Sequence, residues 1–211
     1  MPNGLNLICQ KQVIHDVGVS PHLNLTTTFV YDNVGNLISV TDPNGNTTNN
    51  SYDVLRRLTN VIAPDSAQSA YGYDKNNNLL TKTNQINSST TQTYSYSYNI
   101  SNQMLTSSDP SNNKLTLVYD QLRRLETSTD PAGNVTTYAY DPLSRISTIT
   151  NANSVVEQTN TYTPNGLLAS IADANSNTTN YTYDGFDRLS TKTFPDSTTQ
   201  NYTYDANSIT S

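Results

Sequence analysis

The dipeptide Tyr-Asp returns along this chain about every 21 residues, and that period restricts the fold more than any single residue does. It stands at Tyr31-Asp32, Tyr52-Asp53, Tyr73-Asp74, Tyr119-Asp120, Tyr140-Asp141, Tyr183-Asp184 and Tyr204-Asp205. Tyr98-Asn99 and Tyr162-Thr163 fill the gaps, so successive tyrosines lie 21, 21, 25, 21, 21, 22, 21 and 21 residues apart. A fixed period of this length marks supersecondary units stacked one on the next rather than one globular core.

Each period reads as two short β-strands and two turns. An aliphatic residue returns six positions after each of these tyrosines but the last, at Leu37, Leu58, Leu79, Met104, Leu125, Ile146, Leu168 and Leu189. Four positions after the tyrosine come Gly35 and Gly166, or Asn77, Asn102 and Asp187, residues that tolerate positive φ. Arg56, Arg123 and Ser144 hold that position elsewhere, which predicts a turn that varies from repeat to repeat. The second turn is clearest at Asp42-Pro43-Asn44-Gly45 and Asp130-Pro131-Ala132-Gly133, where Asp accepts local N–H groups and Pro fixes φ. Before each marker, runs such as Tyr138-Ala139-Tyr140 and Tyr181-Thr182-Tyr183 put two rings on one sheet face. The expectation is an all-β antiparallel meander of about eight hairpins forming a twisted, curved strip or partial β-shell, with aromatic ladders along it. Residues 1–26 match the pattern poorly and form an entry segment, while 27–211 form the repeat array. The 25-residue interval predicts a longer loop or irregular strand near 85–91.

Fifteen tyrosines in regular register argue against a disordered chain, although only 34% of residues are hydrophobic. A net charge of −6, with no basic stripe, argues against a nucleic-acid partner. No stretch approaches the length of apolar chain that a spanning helix needs, so no direct membrane span is expected. Cys9, His15 and His22 match no metal-ligand spacing, and no nucleophile elbow or phosphate loop occurs. The repeated aspartates invite a calcium or paired-carboxylate reading, but equivalent strand exits fit hydrogen bonding to turn N–H groups better. No catalytic residue, metal ligand or cofactor site is therefore assigned. The residues singled out are the repeat anchors: the tyrosine and aspartate of each Tyr-Asp pair, with Leu37, Leu58, Leu79, Leu125, Ile146 and Leu189.

The residues following the marker carry a resemblance. Tyr119-Asp120 leads to Arg124-Leu125, Tyr140-Asp141 to Arg145-Ile146, and Tyr183-Asp184 to Arg188-Leu189. Reiterated over most of the chain, this pattern resembles the Rhs, or YD-repeat, family, whose motif runs Tyr-Asp-x-x-Gly-Arg-Leu. The resemblance implies a β-sheet strip that spirals into a hollow shell. In bacterial members that shell encloses a variable C-terminal toxin or belongs to insecticidal toxin complexes, and teneurins use a related barrel as an extracellular platform. The internal Asp-Pro-x-Gly segments are followed by Asn46 and Asn134, so they read as hairpin turns rather than as the family's terminal self-cleavage motif.

These readings converge on a non-catalytic structural segment of an Rhs-like shell that encloses or displays an attached toxin or effector module. The expected partners are flanking repeats or a C-terminal effector module of the same parent protein, secreted or at the cell surface of a bacterium. The alternative is an extracellular carbohydrate- or protein-recognition surface built on the same repeats, with a surface glycan or protein as ligand.

Overall fold

A computed structural model describes residues 25–87 and 89–204 in full, and the backbone of the strands at 8–14 and 209–210. The chain is all-β and antiparallel, and its contacts divide it into two units, 1–113 and 114–211. In the first unit β1 (Ile8–Ile14), β2 (Leu25–Tyr31), β3 (Leu37–Thr41), β4 (Thr47–Tyr52) and β5 (Leu58–Ile62) pair in chain order. The series continues through β6 (Gln68–Tyr73), β7 (Leu79–Asn87), β8 (Thr90–Tyr98) and β9 (Met104–Ser108). In the second unit the same meander runs through β10 (Lys114–Tyr119), β11 (Leu125–Thr129), β12 (Val135–Tyr140), β13 (Ile146–Thr150) and β14 (Val156–Tyr162). It ends with β15 (Leu168–Asp173), β16 (Thr178–Tyr183), β17 (Leu189–Thr193) and β18 (Thr199–Asn201). A short pair, β19 (Thr203–Tyr204) and β20 (Ile209–Thr210), follows.

The two anchors of the sequence period are direct cross-strand partners. Tyr31 faces Leu37, Tyr52 faces Leu58, Tyr140 faces Ile146 and Tyr183 faces Leu189. At each of these pairs the register shifts by one residue, a β-bulge that recurs with the period. The rings do not form the tyrosine-on-tyrosine ladder expected from the sequence. Tyr138 faces Ile149 and Tyr181 faces Lys192, because two strands per period leave a strand of the other kind between successive tyrosine strands.

All the regular turns share one geometry, at both edges of the sheet. In the first, the Asp32 N–H donates to the Asn36 carbonyl at 2.9 Å and the Gly35 N–H to the Asp32 carbonyl at 3.1 Å. The same bonds recur at Asp42–Asn46, Asp130–Asn134 and the equivalent loops. Each loop is a type I turn followed by one left-handed residue. The variation predicted at Arg56, Arg123 and Ser144 is absent: their φ angles are 62°, 64° and 64°, beside 89° at Gly35 and 87° at Gly166. A left-handed non-glycine residue costs about 1–2 kcal/mol. Several loop hydrogen bonds, each worth about 0.5–1.5 kcal/mol net, outweigh that cost.

The long interval is accommodated in strand length. β7 and β8 run nine residues each, against five to seven for most strands of the repeat, and their register shifts between Gln85 and Asn87. No described residue is buried, so the sheet has no enclosed apolar core. On strands such as Val135–Tyr140 the tyrosine face is half-buried and the alternate Val, Thr and Ala positions are exposed. Stability must come from ladder hydrogen bonds and from half-buried side chains packed along the sheet, repeat against repeat.

Candidate functional site

The repeated polar cluster lies at the Tyr-Asp turns, where the aspartate is consumed by its own loop. Asp141 Oδ1 accepts the N–H of Leu143 at 2.9 Å and of Arg145 at 3.0 Å, while Oδ2 accepts Arg145 Nε at 2.7 Å. Asp53, Asp120 and Asp184 repeat the arrangement with Arg57, Arg124 and Arg188. Asp32 and Asp74 do the same with Asn36 and Asn78, whose amides replace the guanidinium. Such bonds favour the ionised form and hold the carboxyls below their ordinary value of 3.8. The Arg124 and Arg145 backbone N–H groups are the largest cause at Asp120 and Asp141; the Arg188 side chain is at Asp184. At Asp42 and Asp130, on the opposite edge, the side chains of Asn46 and Asn134 lead.

The arginine then reaches forward to the next repeat. Arg57 Cζ lies 4.9 Å from the centroid of Tyr73, Arg124 lies 4.4 Å from Tyr140, Arg145 4.1 Å from Tyr162 and Arg188 4.5 Å from Tyr204. The tyrosine in turn reaches back. Its hydroxyl donates to the carbonyl of the previous aliphatic anchor, at the bulge: Tyr52 to Leu37 at 3.0 Å, Tyr140 to Leu125, Tyr162 to Ile146, Tyr183 to Leu168 and Tyr204 to Leu189 at 2.8 Å. Where the residue two positions before the marker is Asn50 or Asn160, its amide donates to that same carbonyl. Partial desolvation raises the phenol groups of Tyr73, Tyr98, Tyr140 and Tyr183 above 10.0. Where both contacts occur, as at Arg124 with Tyr140, Arg145 with Tyr162 and Arg188 with Tyr204, neighbouring repeats are clasped in both directions.

The structure places the tyrosine and aliphatic residues of the period opposite each other, as at Tyr140 and Ile146, with the aspartate in the turn between them. The residue pattern also implies that Arg57, Arg124, Arg145 and Arg188 pack over aromatic rows or pair with neighbouring acids, and each does both; the signal for its ring partner is a tyrosine 16 or 17 residues further on. Asp205, His15 and His22 lie outside the described residues, and only the backbone of Cys9 is described, within β1. Among the described residues no group of three or more His, Cys, Asp or Glu side chains could hold a metal ion, and no helix is long and apolar enough to cross a membrane.

The sequence profile of the family described as RHS Repeat matches residues 20–47, 31–68, 119–156 and 162–199, together more than half of the chain. The chain belongs to the RHS-repeat family. Its repeats are a structural, non-catalytic scaffold, in which the recurrent carboxylates and guanidinium groups serve turns and inter-repeat contacts. No curated protein matches the sequence. Among solved structures, TcdB2-TccC3-TEV aligns with a TM-score of 0.53 at 15% identity over 85% of this chain. TcdB2-TccC3, and TcdB2-TccC3 without its hypervariable C-terminal region, each align with a TM-score of 0.52 at 16% identity over 85% of this chain. The likeness is one of fold. This RHS-repeat chain spans 12% of the length of each of those chains.

Proposed function

We propose that this chain is wall material: a run of RHS hairpins forming part of a larger shell that encloses or displays an effector module of the same parent protein. The observation that carries the reading is where the polar chemistry goes. The Asp141 carboxylate is filled by its own turn and by Arg145, and Arg145 is stacked on Tyr162 of the next repeat. A repeat built this way can be extended indefinitely, and each copy strengthens its neighbours without needing a buried core. The Tyr-Asp pairs and their aliphatic partners serve as structural anchors in this reading. Residues 27–211 are the array, and 1–26 an entry segment that contributes β1 as the partner of β2.

Family membership supports secretion or surface display by a bacterium, with further repeats and an effector segment as intramolecular partners. Limited proteolysis of the longer parent protein tests the enclosure. An enclosed effector stays intact at protease levels that cleave the same segment expressed alone. Equal cleavage of the two, with the repeats intact, refutes enclosure.

A further inference from the structure

The repeats themselves indicate what one of their gaps can bind. In the arginine-bearing repeats, a guanidinium fills the space between one Tyr-Asp turn and the next. Arg57 lies over Tyr73 and donates to the Asp74 carbonyl at 2.6 Å and to Asn77 Oδ1 at 3.1 Å. Arg124 lies over Tyr140 and donates to Ser144 Oγ at 3.1 Å. The acceptor in both cases belongs to the left-handed residue of the following turn, Asn77 at φ 71° and Ser144 at φ 64°.

At the turn from Thr163 to Leu167 the motif is broken twice, for Thr163 replaces the aspartate and Leu167 the arginine. The space that follows is a cavity of about 350 Å³, lined by Thr163, Asn165, Leu167, Tyr183, Asp184 and Asp187 among others. Its ring is held as in the filled sites, since Tyr183 donates to the Leu168 carbonyl at 2.8 Å as Tyr140 does to Leu125. Its left-handed residue is Asp187, at φ 61°, which puts a full carboxylate where Asn77 and Ser144 accept from a guanidinium. Asp187 Oδ1 takes one bond, from Asn165 Nδ2 at 3.1 Å. Asp184 is bridged to Arg188 of its own turn, and Arg188 leans over Tyr204 in the opposite direction.

Three other turns lack the arginine: the one ending at Gln103 is followed by Arg123, not a carboxylate, at the left-handed position, and the gaps after the other two also differ. After Asn36 the space is lined by Arg56, which already brings a cation and donates to the Val34 carbonyl. After Asn78 the amide itself crosses to Asn102 Oδ1 at 2.9 Å. Among the described residues, the gap beside Tyr183 alone combines a lost internal arginine with an added carboxylate.

We propose that this gap binds a guanidinium group supplied from outside the chain. The ring face and the Asp187 carboxylate are arranged for a planar cation that stacks and donates along its edge, which a compact ammonium does less well. The site goes beyond the wall role, and its presence or absence leaves that role unaffected.

Titration of the 211-residue protein with N-acetyl-arginine amide, followed by amide NMR, tests the site. Saturable shifts are expected at Asn165, Tyr183 and Asp187, with blocked lysine at least about fivefold weaker at equal ionic strength. Asp187→Asn should weaken binding by about 3–10-fold. The double variant Thr163→Asp, Leu167→Arg rebuilds the internal clasp and should abolish the response, its own spectrum reporting that it is folded. A neutral peptide carrying one arginine separates the sources: binding at least about tenfold tighter than the blocked amino acid points to a polypeptide partner, equal binding to a small guanidinium compound. No saturable shift at these residues, equal response to lysine, or an unchanged response in folded Asp187→Asn would overturn the proposal.

Discussion

The hydroxyl of Tyr140 donates to the carbonyl oxygen of Leu125 at 2.8 Å, tying the tyrosine of one repeat to the aliphatic anchor of the repeat before. That carbonyl sits at the register shift between Val118 and Tyr119, where the ladder is interrupted. Tyr140→Phe keeps the ring under Arg124 and removes only this bond. The expected loss is about 0.5–1.5 kcal/mol in urea unfolding. Tyr140→Ala, which also removes the ring, should cost clearly more than Tyr140→Phe.

The clasp sets limits on pH from both sides. Asp53, Asp120, Asp141 and Asp184 are held below 3.8 in the fold. Their contribution is full above that value and is lost as pH falls through the lower folded-state values. Tyr73, Tyr98, Tyr140 and Tyr183 are raised above 10.0, so their contribution is full below pH 10.0 and is lost as pH rises through the higher folded-state values. Circular dichroism against urea should therefore give a plateau in midpoint between these limits, with a fall on each flank.

The left-handed turn position should reverse the usual sign of glycine substitution. Ser66 sits at φ 68° and Gly45 at φ 84°, with nothing within 4 Å of a Cβ placed on Gly45. Relief of strain at Ser66→Gly exceeds the added chain entropy, giving a gain of up to about 1 kcal/mol. Gly45→Ala should lose about 1 kcal/mol through backbone strain alone. Thermal unfolding of both variants measures the pair.

Arg145 offers a test of how the arginine is held at its forward end. Its Nη1 is shielded from solvent without a hydrogen-bond partner, and the residue one repeat on is Gly166, where Arg57 and Arg124 find Asn77 and Ser144. A Cβ on Gly166 would lie 3.4 Å from Nη1, an ordinary contact. Gly166→Asn supplies the missing acceptor, so it should be more stable than Gly166→Ala. The difference should exceed that between Gly45→Asn and Gly45→Ala by about 1 kcal/mol.

The spacing of Tyr31 and Leu37 made their pairing legible in the sequence, because a six-residue step with a turn between leaves few other registers. The Asp-Pro turns were legible for the same reason, with residue types that announce their own φ angles. The uniform turn at Arg56, Arg123 and Ser144 was not, since residue preference speaks against positive φ there. The loop hydrogen bonds that impose it involve backbone groups common to every residue. The expected aromatic ladder failed because one tyrosine strand per period puts Ile149 or Lys192, rather than another ring, opposite Tyr138 or Tyr181. The gap beside Tyr183 is visible in sequence only as a departure at Thr163 and Leu167, and its meaning depends on the filled sites elsewhere.

A double-mutant cycle on Arg124 and Tyr140 tests most directly whether repeats are clasped side chain to side chain. Arg124→Ala, Tyr140→Leu and the double variant of the full chain would be compared by urea unfolding. A favourable coupling of at least about 0.5 kcal/mol is predicted, from a half-exposed cation stacked on a ring. Single-variant losses that simply add would contradict it, and would leave backbone pairing as the bond between repeats.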